Sequence, residues 1–254
     1  QLVEDTAAVN GGAKVHLLSH SLGGPVANLF LNEMNAAWKQ KFIASHIMLS
    51  PVLLGTPVAI YAALTGPRYD YVPQFLPQLV VPLVRTFPSI AWMWPRVSAE
   101  GVDVWSGGGD ADADAESGEI DFVRTPTQNY SLSNLKALAR AVPGADNIVA
   151  VWDAMMARTN RSASDPGVPV LCVYANDTLT DLSIATSDTF DEKGKRLAAT
   201  WGDGTVSLRS LEHCRSWADV EVQPIEFGGS LAAHTEIAQN PEVIDLILAW
   251  LLKK

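Results

Sequence analysis

The chain of 254 residues is 48% hydrophobic and 18% charged, an ordinary globular composition with enough apolar material for a substantial core. Its formal net charge of -10 argues against nucleic acid as a partner, since phosphate binding requires clustered Lys and Arg, and gives no attraction to anionic membranes. Prolines interrupt the most apolar stretch, 72–84, so no run reaches the ~18 residues of a membrane span and contact with lipid would be peripheral and apolar.

Short apolar runs and periodic segments predict an α/β fold with a mostly parallel sheet. The runs at 15–18 and 43–49 predict two buried strands, and a helix follows the first of them after a tight bend. Two further strands are predicted at 168–174 and 220–225. The segment 241–252 has an apolar face at helical spacing, which predicts a closing amphipathic helix.

The bend after the first predicted strand reads Ser19-His20-Ser21-Leu22-Gly23. A serine between a buried strand and a helix is typical of a nucleophile elbow, where compact residues on either side let the two elements cross closely. Ser21 is the candidate nucleophile, and the backbone N–H of Leu22 is expected to donate to an oxyanion. Ser19 stands where the usual pattern has glycine, and it is compact enough to replace it.

The insertion between the second and third predicted strands, residues 55–166, is expected to form a cap over the site. It is rich in proline and tryptophan, and therefore apolar enough to receive long apolar chains. The tryptophans are Trp92, Trp94, Trp105 and Trp152. A plain structural subdomain is the alternative. On this division, residues 1–54 and 167–254 form the two parts of the core.

An acidic stretch at 107–119 and the aspartate after it show the spacing of a calcium loop. The residues at positions 1, 3, 5 and 12 of that spacing are Asp110, Asp112, Asp114 and Asp121. Ala115 stands where the sharp turn of an EF-hand needs glycine, so a solvated acidic loop is predicted instead. The sequence contains no zinc or nucleotide motif, and neither a metal nor a cofactor is predicted.

Two later residues are candidates for the partners of Ser21. Asp203 lies between two glycines after the third predicted strand, where a carboxylate could orient a histidine; a plain Asp-Gly turn is the alternative. His234 follows the fourth strand on a loop and could reach the same edge of the sheet. The order serine, acid, histidine is that of the α/β hydrolases.

The other histidines are expected to lie outside the site. His20 adjoins the nucleophile but is predicted to point away from it, whereas His16 and His46 belong to strands. His213 stands next to a cysteine and is expected to support the structure. This leaves His234 as the predicted base.

The two cysteines and the three glycosylation sequons indicate in which cellular compartment the protein resides. Cys172 and Cys214 are either unrelated buried thiols or, in an oxidising compartment, a plausible pair. Three N-x-Ser/Thr sequons, at Asn129, Asn160 and Asn176, favour the secretory pathway, although about one or two occur by chance in this length.

Together these motifs resemble the lecithin:cholesterol acyltransferase family, which includes lysosomal phospholipase A2 and the phospholipid:diacylglycerol acyltransferases. The resemblance covers nearly the whole chain and is most specific at 167–174 and at Gly202-Asp203-Gly204-Thr205-Val206; the segments 15–24 and 87–92 add to it. It implies an α/β-hydrolase fold with a cap insertion.

The resemblance also assigns the residues and the reaction. It implies Ser21, Asp203 and His234 as nucleophile, acid and base, and a disulfide between Cys172 and Cys214. The implied reaction moves a fatty acyl group from a phospholipid through an acyl-serine to an alcohol such as a sterol or acylglycerol. Water as acceptor would give a phospholipase A, and a non-catalytic lipid-binding remnant is the alternative of another class.

The same resemblance implies where the protein acts and on which lipids. A phospholipid acyl donor and a lipid alcohol acceptor would be met at a membrane or lipid-particle surface, in the extracellular space, endoplasmic reticulum or lysosome, without a cofactor. Family members begin well upstream, with further strands, a membrane-binding lid and the loop of the second oxyanion donor. A chain beginning at Gln1 is expected to leave an open strand edge, to be poorly soluble and to lose about 10²–10³ in rate.

Overall fold

The computed structural model describes residues 1–66, 76–106, 119–230 and 233–253. Within these ranges, eight strands form two four-stranded sheets. The strands are β1 (Val15–His20), β2 (Ile43–Leu49), β3 (Val123–Arg124), β4 (Asn129–Tyr130), β5 (Val170–Ala175), β6 (Thr178–Ala185), β7 (Lys195–Gly202) and β8 (Val220–Ile225).

Eleven α-helices lie within the described residues. They are α1 (Leu2–Val9), α2 (Gly23–Glu33), α3 (Ala36–Phe42), α4 (Pro57–Thr65), α5 (Leu76–Val84), α6 (Pro88–Trp92), α7 (Leu135–Ala141), α8 (Asp146–Thr159), α9 (Leu208–Leu211), α10 (Ala233–Glu236) and α11 (Pro241–Leu251). Short 3-10 helices cover Leu132–Asn134, Asn160–Ala163, Glu212–Ser216 and Ile237–Gln239. No helix in these described segments is long and apolar enough to cross a membrane.

The first sheet has the strand order β1-β2-β5-β8, and all of its pairs are parallel. This confirms the predicted α/β architecture. The predicted bounds of β2 and β8 match those observed, and those of β1 and β5 differ by one or two residues. β5 is buried along its whole length, because it lies inside the sheet with both faces covered. β1 pairs with β2 alone among the described strands.

Alternating side chains of the central strands enter two cores. On one face, Ile47 of β2 and Val173 of β5 pack against α11, whose first turn is capped by the side chain of Asn240. On the other face, Met48 of β2 and Cys172 of β5 pack against the segment after β7. Both cores hold the carboxyl ends of the strands at one edge of the sheet.

The disulfide implied by the family resemblance is present. Cys172 of β5 is bonded to Cys214 in the 3-10 helix Glu212–Ser216, 42 residues further along the chain. On the chain-entropy account, closing a loop of this length stabilises the fold by roughly 4 kcal/mol. The bridge ties the segment after Asp203 to the centre of the parallel sheet.

The second sheet has the order β4-β3-β6-β7 and was not predicted. Its first two strands lie in the insertion, and β6 and β7 form a hairpin after β5. The sheet packs into one core with α4, α7 and α8. It therefore joins chain segments from both sides of the predicted boundary at 166/167.

Three of the four tryptophans of the insertion are buried in its core. Trp94, Trp105 and Trp152 are buried in the core of the second sheet, where Trp94 and Trp152 meet edge to face. Trp92 alone among the four is half-buried. The first three are thus unavailable to line an open channel for apolar chains. The predicted acidic loop at 107–119 lies outside the described residues except for Glu119.

Candidate active site

The elbow between β1 and α2 places Ser21 in a left-handed backbone conformation. Its φ is 55°, a value that residues with a side chain rarely adopt and that costs about 1–3 kcal/mol. Two hydrogen bonds hold the turn: the N–H of Ser21 donates to the carbonyl of Leu49 at 2.9 Å, and the N–H of Gly24 donates to the carbonyl of Ser21 at 3.0 Å. The surrounding structure therefore enforces the strained turn that presents the serine.

The two glycines that follow the nucleophile at the elbow, Gly23 and Gly24, differ in how closely they are packed. A Cβ at Gly23 would meet only the Ser19 side chain, at an ordinary contact distance of 3.6 Å. A Cβ at Gly24 would lie 2.8 Å from the Cβ of Pro51, which follows β2. The position at which glycine is required for the close approach is thus Gly24.

The structure brings the three predicted site residues together. His234 Nε2 lies 2.9 Å from Ser21 Oγ, and His234 Nδ1 lies 2.8 Å from Asp203 Oδ2. A carboxylate can only accept, so Nδ1 carries the proton and donates it to Asp203. The lone pair on Nε2 is then free to accept from the Ser21 hydroxyl, which is the tautomer a general base requires.

The turn that carries the acid is fixed by its own hydrogen bonds. Asp203 is fully buried, and its Oδ1 accepts from the backbone N–H groups of Thr205 at 3.0 Å and Val206 at 2.7 Å. Gly202 has no room for a side chain, because a Cβ there would collide with the carbonyl of Val206. Gly204 has a φ of 87°, which favours glycine. These constraints explain the Gly-Asp-Gly sequence.

The loop before His234 is anchored by residues that sequence reasoning missed. Asp177, in the turn between β5 and β6, accepts through Oδ2 from the N–H groups of Phe227 at 2.9 Å and Gly229 at 3.1 Å. The hydroxyl of Thr178 donates to the carbonyl of Ser230 at 3.0 Å. An aspartate two residues after a buried parallel strand was the available signal, since such positions lie at the carboxyl edge of the sheet.

The prediction that His20 points away from the site is wrong. Its Nε2 lies 2.7 Å from the carbonyl oxygen of His234, and the two rings pack with centroids 5.1 Å apart. Residue 20 ends β1, so its side chain emerges where the loops of the carboxyl edge converge. Burial lowers the pKa of His20, with the hydrogen bond to His234 opposing that effect.

A second histidine lies behind the elbow. His46 of β2 is fully buried, and its Nε2 lies 2.8 Å from Ser19 Oγ, which in turn contacts the carbonyl of Ile47 at 3.3 Å. Burial lowers the pKa of His46 to about 4. Ser19, the departure from the usual glycine, is thus the polar partner of this buried ring.

The N–H of Leu22 is free for an oxyanion in the part of the chain that is described. Leu22 precedes the first residue of α2, and its N–H donates to no acceptor among the described residues. Unpaired N–H groups and the positive end of the helix dipole meet at such a position. The arrangement fits the role predicted for Leu22.

The three sequons differ in exposure. Asn129 is exposed on β4, whereas Asn160 and Asn176 are half-buried. The backbone of Asn176 also donates to the carbonyl of Ile225. Asn129 is therefore the most accessible of the three predicted glycosylation sites.

In the α/β-hydrolase architecture, the carboxyl edge of a parallel sheet carries a serine on a strand–turn–helix bend, and an acid and a histidine lie on later turns. This chain has that fold. Residues 1–165 match the family model described as lecithin:cholesterol acyltransferase, and the chain belongs to this family. A chain in the crystal structure of the Tle4–Tli4 complex has a similar fold, with a TM-score of 0.52 at 13% identity over 91% of this chain and 58% of that one.

Two curated relatives indicate the scope of the similarity. The chain is 24% identical over 227 residues to the "Lysosomal phospholipase A and acyltransferase" of Bos taurus, covering 89% of this chain and 50% of that protein. It is 28% identical over 211 residues to the "Lecithin-cholesterol acyltransferase-like 1" of Arabidopsis thaliana, covering 83% and 45%. The chain thus spans about half the length of the curated relatives it matches.

Proposed function

We propose that this protein is a serine-dependent lipid acyltransferase in which Ser21 is the nucleophile, His234 the general base and Asp203 the group that orients the base. The observation that carries the proposal is the hydrogen-bonded series from Ser21 Oγ through the His234 ring to the Asp203 carboxylate, at 2.9 and 2.8 Å. Contacts of about 2.6–3.2 Å between nucleophile and base are those expected of an activated serine. The names of the two relatives support lipid as the substrate class.

In the first half-reaction, Ser21 Oγ attacks the ester carbonyl of a phospholipid while His234 Nε2 takes the hydroxyl proton. The buried Asp203 carboxylate stabilises the imidazolium that forms. The Leu22 N–H donates to the oxyanion of the tetrahedral intermediate. His234 then protonates the departing lysophospholipid oxygen, which leaves the acyl group on Ser21.

In the second half-reaction, an alcohol acceptor replaces the lysophospholipid. His234 removes the proton of a sterol or acylglycerol hydroxyl, the new alkoxide attacks the acyl-serine, and the proton returns to Ser21 Oγ. Water in the place of the alcohol would release a free fatty acid, and the name of the bovine relative, which joins phospholipase A with acyltransferase, favours this as the second candidate.

The proposed setting is a phospholipid surface in the secretory pathway or the lysosome. The disulfide between Cys172 and Cys214 supports an oxidising compartment, and the bovine relative is named lysosomal. N-glycosylation is proposed first at the exposed Asn129. With a formal charge of -10, binding to the lipid surface would rest on apolar contact.

Covalent labelling tests the proposed nucleophile. A fluorophosphonate probe should label the full chain, and the label should be lost in Ser21→Ala but kept in Ser19→Ala, the matched control two residues away. Circular dichroism first establishes that each sample is folded. Equal labelling of wild type and Ser21→Ala would place the reactive group elsewhere and refute the proposal, whereas a folded wild type that takes no label would favour a lipid-binding protein without catalysis.

Product analysis then separates the two candidate reactions. Labelled phospholipid is supplied with and without a sterol or diacylglycerol, and the products are resolved by chromatography. A new ester that forms only with the alcohol supports the acyltransferase, whereas free fatty acid in both samples identifies a phospholipase A.

A further inference from the structure

His20 links the two reacting side chains by a route separate from the Ser21–His234 hydrogen bond. It is joined to Ser21 by one peptide bond, and its Nε2 lies 2.7 Å from the carbonyl oxygen of His234. Ser21 Oγ is in turn 2.9 Å from His234 Nε2. The three residues therefore close a ring, and a shift of the His234 backbone away from the elbow would stretch the bond to His20.

The chemistry of the contact fixes the form of His20. A carbonyl oxygen only accepts, so Nε2 of His20 carries a proton and donates it. The neutral ring with its proton on Nε2 satisfies the carbonyl without adding charge. Burial lowers the pKa of His20, which favours this neutral form. The titratable groups that act on it are His234, which lowers its pKa, and Asp203, which raises it.

The neutral form of His20 favours protonation of His234, because the two rings pack against each other. The centroids of His20 and His234 are 5.1 Å apart, with the planes inclined at 43°. During the reaction His234 becomes an imidazolium, and a second cation at this distance would oppose it. The hydrogen-bond partner of Ser21 Oγ is the ring of His234, and His20 contacts the backbone carbonyl of His234 instead.

Two hydrogen bonds to other described segments hold the backbone of His234. Its N–H donates to the carbonyl of Asp203 at 3.0 Å, and α10, which contains it, has only four residues. The carbonyl oxygen is held by His20. One bond thus ties the base to the turn of the acid, and the other ties it to the elbow of the nucleophile.

We propose that His20 is a positioning residue, which holds the backbone of His234 so that its ring stays aligned between Ser21 and Asp203. The inference rests on the proposed function, because it assigns a role within that site. This role requires a hydrogen-bond donor at the position of the His20 Nε2 atom, and a ring that only fills the space would not replace it.

Three substitutions separate the donor from the ring. His20→Gln keeps an amide donor that can reach the carbonyl, His20→Phe keeps the ring without the donor, and His20→Ala removes both. The full chain of each is assayed with a soluble p-nitrophenyl ester for kcat and KM, and with a fluorophosphonate for the rate of labelling at Ser21. Thermal unfolding of each variant is recorded alongside.

The donor requirement predicts a specific order of activities. His20→Phe and His20→Ala should lower kcat and the labelling rate by about 10–100-fold, the scale of a small misplacement of a catalytic group, and leave KM unchanged. His20→Gln should restore most of kcat. The matched control is His16→Gln on the same strand, whose exposed ring bonds Ser45 at 2.7 Å away from the site, and it should behave as wild type.

Each other outcome is decisive. Wild-type kcat in a folded His20→Phe, or equal losses in the folded Gln and Phe variants, would overturn the inference while leaving the proposed function intact. Labelling of wild type that persists in Ser21→Ala would instead remove the proposed function. If His20→Ala does not fold, the Gln and Phe variants, which both fill the site, carry the comparison.

Discussion

The turns that carry Ser21 and Asp203 meet at one edge of the sheet but are held by different means. Ser21 sits in a strained backbone bend, and its hydroxyl contacts His234. Asp203 sits in a bend in which Gly204 takes the positive φ, and both of its carboxylate oxygens accept hydrogen bonds. Both turns are closely packed, at Gly24 and at Gly202, but only the second also depends on hydrogen bonds from the backbone to its functional side chain, so the two should respond differently to substitution of that side chain.

The largest effect is expected at the acid turn, from Asp203→Asn. An amide presents both a donor and an acceptor, so it cannot satisfy the two backbone N–H groups of Thr205 and Val206 and also accept from His234. The wrong histidine tautomer follows, and kcat should fall by about 10⁴-fold, as in serine proteases with the equivalent change. Steady-state kinetics on the full chain measures it.

The control for this prediction is Asp219→Asn, a carboxylate that precedes β8 outside the site. It should keep wild-type kcat. If folded Asp203→Asn retained kcat within about tenfold, His234 would not depend on a carboxylate for its tautomer and Asp203 would be an ordinary turn residue.

The elbow should fail through packing, which Gly24→Ala and Gly23→Ala compare directly. The new methyl group at Gly24 would lie 2.8 Å from Pro51 Cβ, and relieving this overlap should reduce the free energy of unfolding by about 1–3 kcal/mol. At Gly23 the methyl group would meet Ser19 at an ordinary 3.6 Å, and the change should be within about 0.5 kcal/mol.

Urea unfolding of both variants provides the measurement. The same order is expected for kcat. Gly24→Ala should lower kcat, because Ser21 shifts as α2 moves away from Pro51, whereas Gly23→Ala should keep the wild-type kcat. Equal stability of the two variants would show that α2 does not approach the segment after β2 as closely as the structure has it.

The same contrast explains what could be predicted from the sequence. β5 is covered on both faces and therefore reads as a continuous apolar run, and β2 keeps enough apolar residues around Ser45 and His46 to be recognised as a strand. β6 is also largely buried, but its buried positions include Thr178 and Ser183, whose hydroxyls donate to the carbonyls of Ser230 and Asp121. Polar residues satisfied by distant carbonyls hide such a strand from a hydrophobicity pattern.

Within the site, the residues marked by local sequence could be found and those defined by long-range contact could not. Ser21 and Asp203 lie on turns with recognisable neighbours, and His234 follows from chain order. The role of His20 depends on a hydrogen bond to a residue 214 positions away, and that of Asp177 on a loop about 50 positions away. The sequence around His20 carries no sign of this role, whereas the position of Asp177 shortly after the buried strand β5 was a signal that could have been used.

A pH-dependent effect on stability, with no expected effect on the chemistry at neutral pH, comes from His46 behind the elbow. Burial lowers the pKa of His46 to about 4, below its ordinary 6.5. As pH falls below 6.5, the unfolded chain binds a proton at His46 that the folded chain does not bind until about pH 4, so the fold loses stability across this window. At pH 5 this loss should be roughly 2 kcal/mol relative to neutral pH.

His46→Gln isolates this contribution, because its amide can still donate to Ser19 but does not titrate. Urea unfolding of wild type and variant at pH 7.5 and pH 5 gives the two differences in free energy, and the groups common to both chains cancel. The variant should lose less stability on acidification than wild type by that amount. Parallel losses in the two proteins would mean that His46 is as accessible to protons in the folded chain as in the unfolded one, and the Ser19–His46 pair would then not be the buried support of the nucleophile turn.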